Sequence, residues 1–243
     1  MTKKTDKIFS TPLNKIVDFK FDEKTANVFA DMINRSIPGY SSIISIVGML
    51  AAKYAQPKSN LYDLGTSLGA SALSMRRSLK DTSCKIIAVD NSLPMINRAK
   101  DFIKNDVSDI PVKLICEDII DTKIRNASVV VLNYTLQFVK RENRDILIGR
   151  IYKGLLPGGI LILSEKIKFK DEETNKRQIE LYHSFKKLNG YSDLEISQKR
   201  NALEKVLIPE TIDDHKNRIL KAGFITCDIW FQSFNFISII ARK

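Results

Sequence analysis

The chain has 243 residues, with 39 lysines and arginines against 28 aspartates and glutamates, and a formal net charge of +11 at pH 7. This length is enough for one large α/β domain with a well-buried core. No apolar run approaches the roughly 18 to 20 residues of a membrane span, and the basic N-terminus lacks the following apolar region of a signal peptide. We therefore expect a cytoplasmic protein without a membrane partner.

The positive charge favours anionic partners through long-range attraction. The basic residues are spread along the chain, without an arginine-rich block or the interleaved aromatic residues of an RNA-binding surface. We therefore expect no direct binding of nucleic acid.

The cysteines and histidines are few and far apart. Cys84, Cys116 and Cys227 have no metal-ligand spacing, and the histidines are His183 and His215. Cys84 and Cys116 lie in or beside apolar runs, which predicts a packing role for both. The sequence therefore predicts reduced thiols, no metal site and no disulfide framework.

Hydrophobic periodicity predicts an alternation of helices and strands. Ala26, Phe29 and Ile33 share one face of the first predicted helix. Pro157 and Gly158, in "LLPGG", are predicted to stop a later helix. The predicted elements are helices 22–35 and 41–55, strand 60–65, helix 69–80, strand 85–90, helix 93–104, strands 112–117 and 127–133, helix 141–155, strand 160–165, helix 211–222, and the strands "FITCDIWF" and "FNFISIIAR".

This alternation favours a mostly parallel sheet of seven strands with helices on both faces. The last two strands are joined by only a few residues and predict a C-terminal antiparallel hairpin at the sheet edge. We expect a single domain with an N-terminal helical cap (1–58), a core (59–169 and 208–243) and a polar helical lid insertion (170–207).

Small and polar residues follow four successive strands, where ligands of open α/β sheets bind. Gly65 would let the main chain approach a ligand closely, a carboxylate at Asp90 could accept both hydrogens of a ribose diol, and Asp118 suits an adenine amino group. Singly, such residues often only form turns or cap helices, but four in register favour a nucleotide-type ligand. "GTSLG" lacks the third glycine of a dinucleotide fingerprint, so NAD is not expected.

A basic residue interrupts the apolar pattern near the end of the lid. Ile196, Leu203 and Leu207 predict an apolar helical stripe, and Arg200 falls inside it. Lys199 is also close, and spacing alone does not choose between the two cations. A buried cation would need a counter-anion, whereas a side chain at the helix edge could extend to solvent.

The strand ends and the terminal hairpin together resemble the class I S-adenosylmethionine-dependent methyltransferase fold, which is Rossmann-like. The fourth strand ends in "VLNYTLQF", without the prolines of the motif that receives target amines in many enzymes of this fold. Neither histidine follows a strand, where a general base would help. An ordinary methyltransferase is therefore not the favoured interpretation.

Longer segments resemble the carboxy-S-adenosyl-L-methionine synthase family, over nearly the whole chain from about Ile8. The resemblance rests on "RSIPGY", "YDLGTSLGAS", "VVLNYTLQF", "LSEKIKF", "NGYSDLEISQKRNALEKVL" and "IWFQSFNF". It implies conversion of S-adenosylmethionine and prephenate to carboxy-S-adenosylmethionine and phenylpyruvate. The product then serves a partner enzyme that carboxymethylates the wobble uridine of tRNA. The alternatives are a methyltransferase acting on a small anionic molecule or tRNA, and a non-catalytic S-adenosylmethionine-binding module.

The resemblance also implies a homodimer in which Arg200 reaches across the subunit boundary to the new carboxylate. No catalytic protein base is implied, because prephenate supplies carbon dioxide and hydroxide as its ring aromatises. The family's turn usually reads Gly-Cys-Ser, whereas this chain has Thr66, which we expect to be tolerated. Tyr182, Tyr191 and the lid lysines are candidates for holding prephenate by location alone. The implied ligand-contacting set is Tyr40, Gly65, Thr66, Ser67, Asp90, Asn91, Asp118, Ile119, Asn133 and Arg200.

Overall fold

The computed structural model describes residues 5–81 and 83–243, so the first four residues of the basic N-terminal stretch lie outside it. Its strands are β1 (Asn60–Leu64), β2 (Lys85–Asp90), β3 (Val112–Cys116), β4 (Ala127–Asn133), β5 (Leu155–Lys166), β6 (Thr226–Ser233) and β7 (Phe236–Arg242). Its helices are α1 (Glu23–Ser36), α2 (Tyr40–Tyr54), α3 (Ala70–Ser78), α4 (Leu93–Lys104), α5 (Arg141–Gly154), α6 (Glu172–Leu188), α7 (Asp193–Leu203) and α8 (Ile212–Lys221).

The strands form one sheet in the order β3-β2-β1-β4-β5-β7-β6. The first five strands pair in parallel, and β7 runs antiparallel to both β5 and β6. The expected mostly parallel seven-stranded sheet with a C-terminal hairpin is therefore confirmed. The strand order reverses between β1 and β4, which places a crevice beyond their carboxyl ends.

Two apolar cores cover the faces of the sheet, because successive strand residues point to opposite sides. Leu61, Val129 and Ile162 pack with Ile43 and Met75 of α2 and α3. On the other face, Tyr62, Val130 and Leu163 belong to the core that contains residues of α5 and α8. Both faces of the central strands are thus buried, which explains their nearly continuous apolar sequences.

The prediction that Pro157 and Gly158 stop α5 is wrong. The helix ends at Gly154, and Leu155 already pairs with Ala127 as the first residue of β5. The β4–β5 register shifts between Ala127 and Val129, which accommodates the proline and the left-handed Gly158 within the strand. A Cβ on Gly154 would collide with the backbone of Ile124, so close packing requires a glycine there.

The packing role expected of Cys116 is also wrong. Cys116 is exposed, whereas Cys84 is buried as expected and Cys227 is intermediate. The reason is position, since β3 is an outer strand of the sheet and only partly covered. Among the described residues, no helix has both the length and the apolar character needed to cross a bilayer.

The segment 170–207, which we call the lid segment, contains α6 and α7 and packs against the N-terminal residues. Gln198 donates from Nε2 to the carbonyl oxygens of Phe9 and Thr11, at 3.0 and 2.9 Å. The Phe19 amide donates to the carbonyl of Ala202 at 2.9 Å. These contacts hold the N-terminal residues and α7 together beside the carboxyl ends of the strands.

Candidate active site

A cavity of about 570 Å³ lies beyond the carboxyl ends of β1, β2 and β4. Its size is within the usual range for a small-molecule site. Nine of the ten residues expected to contact the ligand line this one cavity. They are Tyr40, Gly65, Thr66, Ser67, Asp90, Asn91, Asp118, Ile119 and Asn133.

The turn after β1 is held in place by the buried carboxylate of Asp63. This carboxylate accepts a hydrogen bond from the Thr66 hydroxyl at 2.6 Å and another from the Ala72 amide at 3.0 Å. Burial raises the pKa of Asp63 to about 6. Thr66, which stands where the family usually has cysteine, thus links the turn to Asp63 through its hydroxyl.

Gly65 has φ +79°, and a Cβ at this position would overlap the side chain of Thr135. Only glycine adopts this conformation at little cost and leaves room for Thr135. The backbone of the turn can therefore lie directly against a ligand.

Asp90 ends β2, and its carboxylate is oriented by two backbone donors. The amides of Ser67 and Ser92 lie 2.8 and 2.9 Å from its two oxygens. Partial burial raises the pKa of Asp90. In the loop after β3, the carboxylate of Asp118 accepts from the Ile120 amide at 2.9 Å. The cavity therefore has acidic groups beyond the ends of β2 and β3, among them Asp90 and Asp118.

Two buried polar atoms of the cavity have no hydrogen-bond partner within the described part of the chain. They are Oδ1 of Asn133 and the hydroxyl of Tyr134. Tyr134 also has φ +60°, a strained conformation for a large side chain. Because buried polar atoms are normally paired, both atoms are suited to meeting a ligand.

Arg200 does not line the cavity of its own chain. It is exposed and borders a second, shallower pocket with the half-buried His183. Of the two alternatives left open for Arg200, the structure shows the one that extends to solvent, because α7 turns Lys199 inward instead. Whether Arg200 reaches the cavity of a second subunit stays a prediction.

Lys199 is the cation of α7 that lines the cavity. Its ammonium group donates to Ser36 Oγ at 3.0 Å and lies 3.7 Å from Asp6 Oδ2. Burial lowers its pKa to about 8. Residue spacing did not show whether Lys199 or Arg200 faces the ligand. Within one chain, it is the side chain of Lys199 that points into the cavity.

The contribution of β5 to the cavity was not predicted from the sequence. Lys166 is the last residue of β5 and lines the cavity with Tyr182 and Phe236. The signal was available, because Lys166 follows an apolar strand at the same sheet edge as the other strand ends. Of the two tyrosines considered, Tyr182 lines the cavity, whereas Tyr191 is buried and donates to Asp6 at 2.6 Å.

These groups fit a nucleoside that carries an extended zwitterionic chain. The Asp90 carboxylate can accept from a diol, the unpaired Asn133 oxygen can accept from an ammonium or amide, and the Gly65 turn leaves room for close backbone contact. No group of three or more potential metal ligands occurs in the described ranges.

Comparison with known proteins gives full-length relatives. A carboxy-S-adenosyl-L-methionine synthase from Geobacter sp. (strain M21) is 58% identical over 244 residues and covers 100% of both chains. The enzyme of the same name from Aliivibrio fischeri (strain ATCC 700601 / ES114) is 58% identical over 98% of each chain. Residues 62–163 also match the family model described as a methyltransferase domain.

Solved structures share the fold at low sequence identity. An O-methyltransferase family protein from Burkholderia thailandensis has a TM-score of 0.66 at 15% identity, covering 91% of this chain and 60% of that one. Magnesium protoporphyrin IX methyltransferase from Synechocystis PCC 6803, solved with bound SAH, has a TM-score of 0.61 at 13% identity, with 87% of each chain covered. The chain spans about 60% of the length of the Burkholderia protein, so that likeness concerns the shared fold, which is the expected class I methyltransferase fold.

Proposed function

The chain belongs to the carboxy-S-adenosyl-L-methionine synthase family, and on this premise we propose that it makes carboxy-S-adenosylmethionine from S-adenosylmethionine and prephenate. Phenylpyruvate is the second product. The observation that carries the proposal is the cavity, which gathers nine residues implied by the family resemblance in a chain that matches its relatives over its whole length.

The proposed reaction balances without a protein base. The S-methyl group of S-adenosylmethionine loses one proton and gains the carboxyl group. Prephenate loses carbon dioxide and hydroxide as its ring becomes aromatic, and the proton and hydroxide leave as water. Of the described residues, neither His183 nor His215 lines the cavity, and burial lowers the pKa of each to about 4.

The chain's task in this reaction is to position two ligands and to exclude water. In our proposal Asp90 binds the ribose diol, and Asp118 with Ile119 holds the adenine. The Gly65–Ser67 turn, Tyr40 and Asn133 contact the rest of S-adenosylmethionine. The aromatic residues of the N-terminal segment and Phe138 close the cavity from the side of α1.

We further propose a homodimer in which each Arg200 serves the cavity of the other subunit. This is supported by its position, since Arg200 is exposed and outside its own cavity. A guanidinium group can hold a carboxylate through two parallel hydrogen bonds. Arg200 would therefore contact the carboxylate that distinguishes the product from S-adenosylmethionine.

In the same proposal the enzyme acts in the cytoplasm as a single domain, with the lid segment as an insertion over the cavity. Its product supplies a separate tRNA carboxymethyltransferase for wobble uridine modification. The synthase itself has no need to bind tRNA, because carboxy-S-adenosylmethionine is a diffusible small molecule.

Mass spectrometry of the adenosyl compounds tests the proposed reaction. The purified protein is incubated with S-adenosylmethionine, with and without prephenate. We expect a prephenate-dependent product that is heavier by one carboxyl group in place of a hydrogen. Formation of S-adenosylhomocysteine with a methylated acceptor would instead support a methyltransferase, and prephenate independence would contradict the proposal.

A further inference from the structure

Two lysines approach the ring of Tyr182 beside the cavity. The ammonium group of Lys166, at the end of β5, lies 4.9 Å from the ring centroid. The ammonium group of Lys186, on α6, lies 4.6 Å from the same centroid. Lys186 is only 4% exposed, and Lys166 is half-buried and lines the cavity. We call Lys166 and Lys186 the lysine pair.

The lysine pair has no counter-anion in the part of the chain that the structure describes. No carboxylate there lies within ion-pair distance of either ammonium group. Lys199 differs, because Asp6 and Ser36 already contact it. Burial lowers the pKa of Lys166 to about 8, and burial with repulsion from neighbouring cations lowers that of Lys186 to about 7. A buried cation without a partner is unfavourable, so the site favours an incoming anion.

An aromatic wall adjoins the lysine pair. The rings of Tyr182 and Phe236 are 4.9 Å apart, and those of Tyr134 and Phe236 are 5.9 Å apart. All three residues line the cavity. A ligand that carries both a six-membered ring and a carboxylate would therefore meet apolar surface and positive charge together.

The lysine pair is well separated from the acidic groups of the cavity. Lys166 ends β5, Asp90 ends β2, and β1 and β4 lie between these strands. Three strand spacings correspond to roughly 14 Å. The cavity thus has an acidic side suited to a nucleoside and a basic, aromatic side suited to a second ligand.

We propose that Lys166, which lines the cavity, binds the carboxylate that the co-substrate keeps, the 2-oxo acid carboxylate of prephenate. Lys186, packed against the lining residue Tyr182, adds its positive charge, while Tyr182 and Phe236 contact the ring of prephenate. This inference rests on the proposed function. In this arrangement the transferred carboxylate becomes bonded to the S-methyl carbon and contacts Arg200. The carboxylate that prephenate retains lies at the lysine pair. Lys166 then holds the 2-oxo acid carboxylate of phenylpyruvate before its release.

Lys166→Met and Lys186→Met test the inference, with Lys168→Met as the matched control. Lys168 follows Lys166 by two residues and is exposed, so the same charge is removed outside the cavity. Methionine keeps the length of the side chain. Since removing a buried unpaired charge relieves a desolvation cost, we expect Lys166→Met and Lys186→Met to melt at or above the wild-type temperature.

Three constants are measured for each variant: KM for prephenate, the inhibition constant of phenylpyruvate, and the Kd of S-adenosylhomocysteine by calorimetry. In Lys166→Met, loss of a charge-assisted hydrogen bond is expected to raise the first two at least about tenfold. Lys186→Met removes a neighbouring charge and should raise both by a smaller factor. The Kd of S-adenosylhomocysteine should change less than about twofold, and Lys168→Met should leave all three constants unchanged.

Any other combination of changes in these three constants contradicts the assignment of the lysine pair to the retained carboxylate of prephenate. An unchanged phenylpyruvate constant would mean that the pair binds the transferred carboxylate, and a weakened Kd would mean that it binds the amino-acid carboxylate of S-adenosylmethionine. No change in any constant would mean that the pair binds neither ligand. If the wild-type protein makes no carboxylated product, the proposed function fails. Calorimetric titration of phenylpyruvate into the S-adenosylhomocysteine complex then still tests the lysine pair by itself.

Discussion

Gly65 combines a left-handed backbone with a lack of space for any side chain. Its φ is +79°, and a Cβ would overlap Thr135. We predict that Gly65→Ala weakens S-adenosylhomocysteine binding at least about tenfold, because the strain of about 1–3 kcal/mol is relieved only by moving the turn that contacts the ligand. Calorimetric titration measures this loss directly.

Gly158→Ala is the control for this prediction. Gly158 has a similar φ of +76°, but the nearest atoms to its Cβ position are 3.9 Å away and belong to flexible side chains. This variant should lose stability, seen as a lower melting temperature, and keep its ligand affinity. Equal affinities for the two variants would show that the Gly65 turn does not contact the ligand.

Arg200 should discriminate between product and substrate. We predict that Arg200→Ala weakens carboxy-S-adenosylmethionine at least about tenfold and S-adenosylmethionine much less, because only the product carries the extra carboxylate. Arg200→Lys should restore only part of the difference, since an ammonium group cannot form the paired contact of a guanidinium. Competition binding with the two ligands measures the ratio, and equal weakening of both would contradict the assignment.

At the scale of elements, Arg144 joins α5 to the segment that follows the lid. It is fully buried and donates to the carbonyl oxygens of Val139, Gln137 and Ile208 at 2.9, 3.1 and 3.0 Å. It also forms an ion pair with Glu210 at 2.6 Å. Gln137 lines the cavity, so this hydrogen-bond network connects the cavity lining to the buried core.

We predict that Arg144→Met lowers the free energy of unfolding by at least about 2 kcal/mol, because the buried carbonyls of Val139 and Ile208 lose their guanidinium donor and Glu210 keeps only Arg218 as an ion-pair partner. Denaturant unfolding measures the loss. Arg141→Met, at an exposed position of the same helix, should change stability by less than about 0.5 kcal/mol. A loss below about 1 kcal/mol for Arg144→Met would mean that the network contributes little.

Helices and strands with clear periodicity were predictable nearly to the residue. The predicted bounds of β2, α4 and β4 agree with the structure, because their apolar patterns and caps all favour the same ends. The start of β5 was not predictable. A proline and a glycine normally end a helix, and only the pairing of Leu155 with Ala127 shows that the chain enters the sheet before them.

At the scale of the whole molecule, strand ends were sufficient to predict which acidic and amide side chains share the cavity. Parallel strands bring Asp90, Asp118 and Asn133 to one sheet edge wherever they lie in sequence. The basic side was not predictable in this way. Lys186, on α6, lies against the lining residue Tyr182, and its burial depends on how the lid segment packs on the sheet, which no local pattern encodes.

At the scale of the proposed homodimer, mixed dimers test whether Arg200 serves the cavity of its own chain or that of the other subunit. One chain carries Asp90→Ala, which damages its own cavity, and the other carries Arg200→Ala. Different affinity tags allow the mixed dimer to be purified. If arginine acts across the boundary, the second chain's cavity receives an intact Arg200 and the mixed dimer should show about half of the wild-type activity, from one of two equivalent sites. If it acts within its own chain, neither site is complete.

The reverse arrangement is the matched control, because it uses the same two substitutions. One chain is wild type and the other carries both Asp90→Ala and Arg200→Ala. If Arg200 acts across the subunit boundary, the intact cavity of the wild-type chain faces the Arg200→Ala substitution of the other chain, and the mixed dimer should have little activity. If Arg200 acts within its own chain, the wild-type chain is complete, and about half of the wild-type activity should remain. Each of the two models therefore predicts activity for one mixed dimer and loss of activity for the other. Because Arg200 is exposed and outside its own cavity, we expect activity in the first dimer and loss in the second.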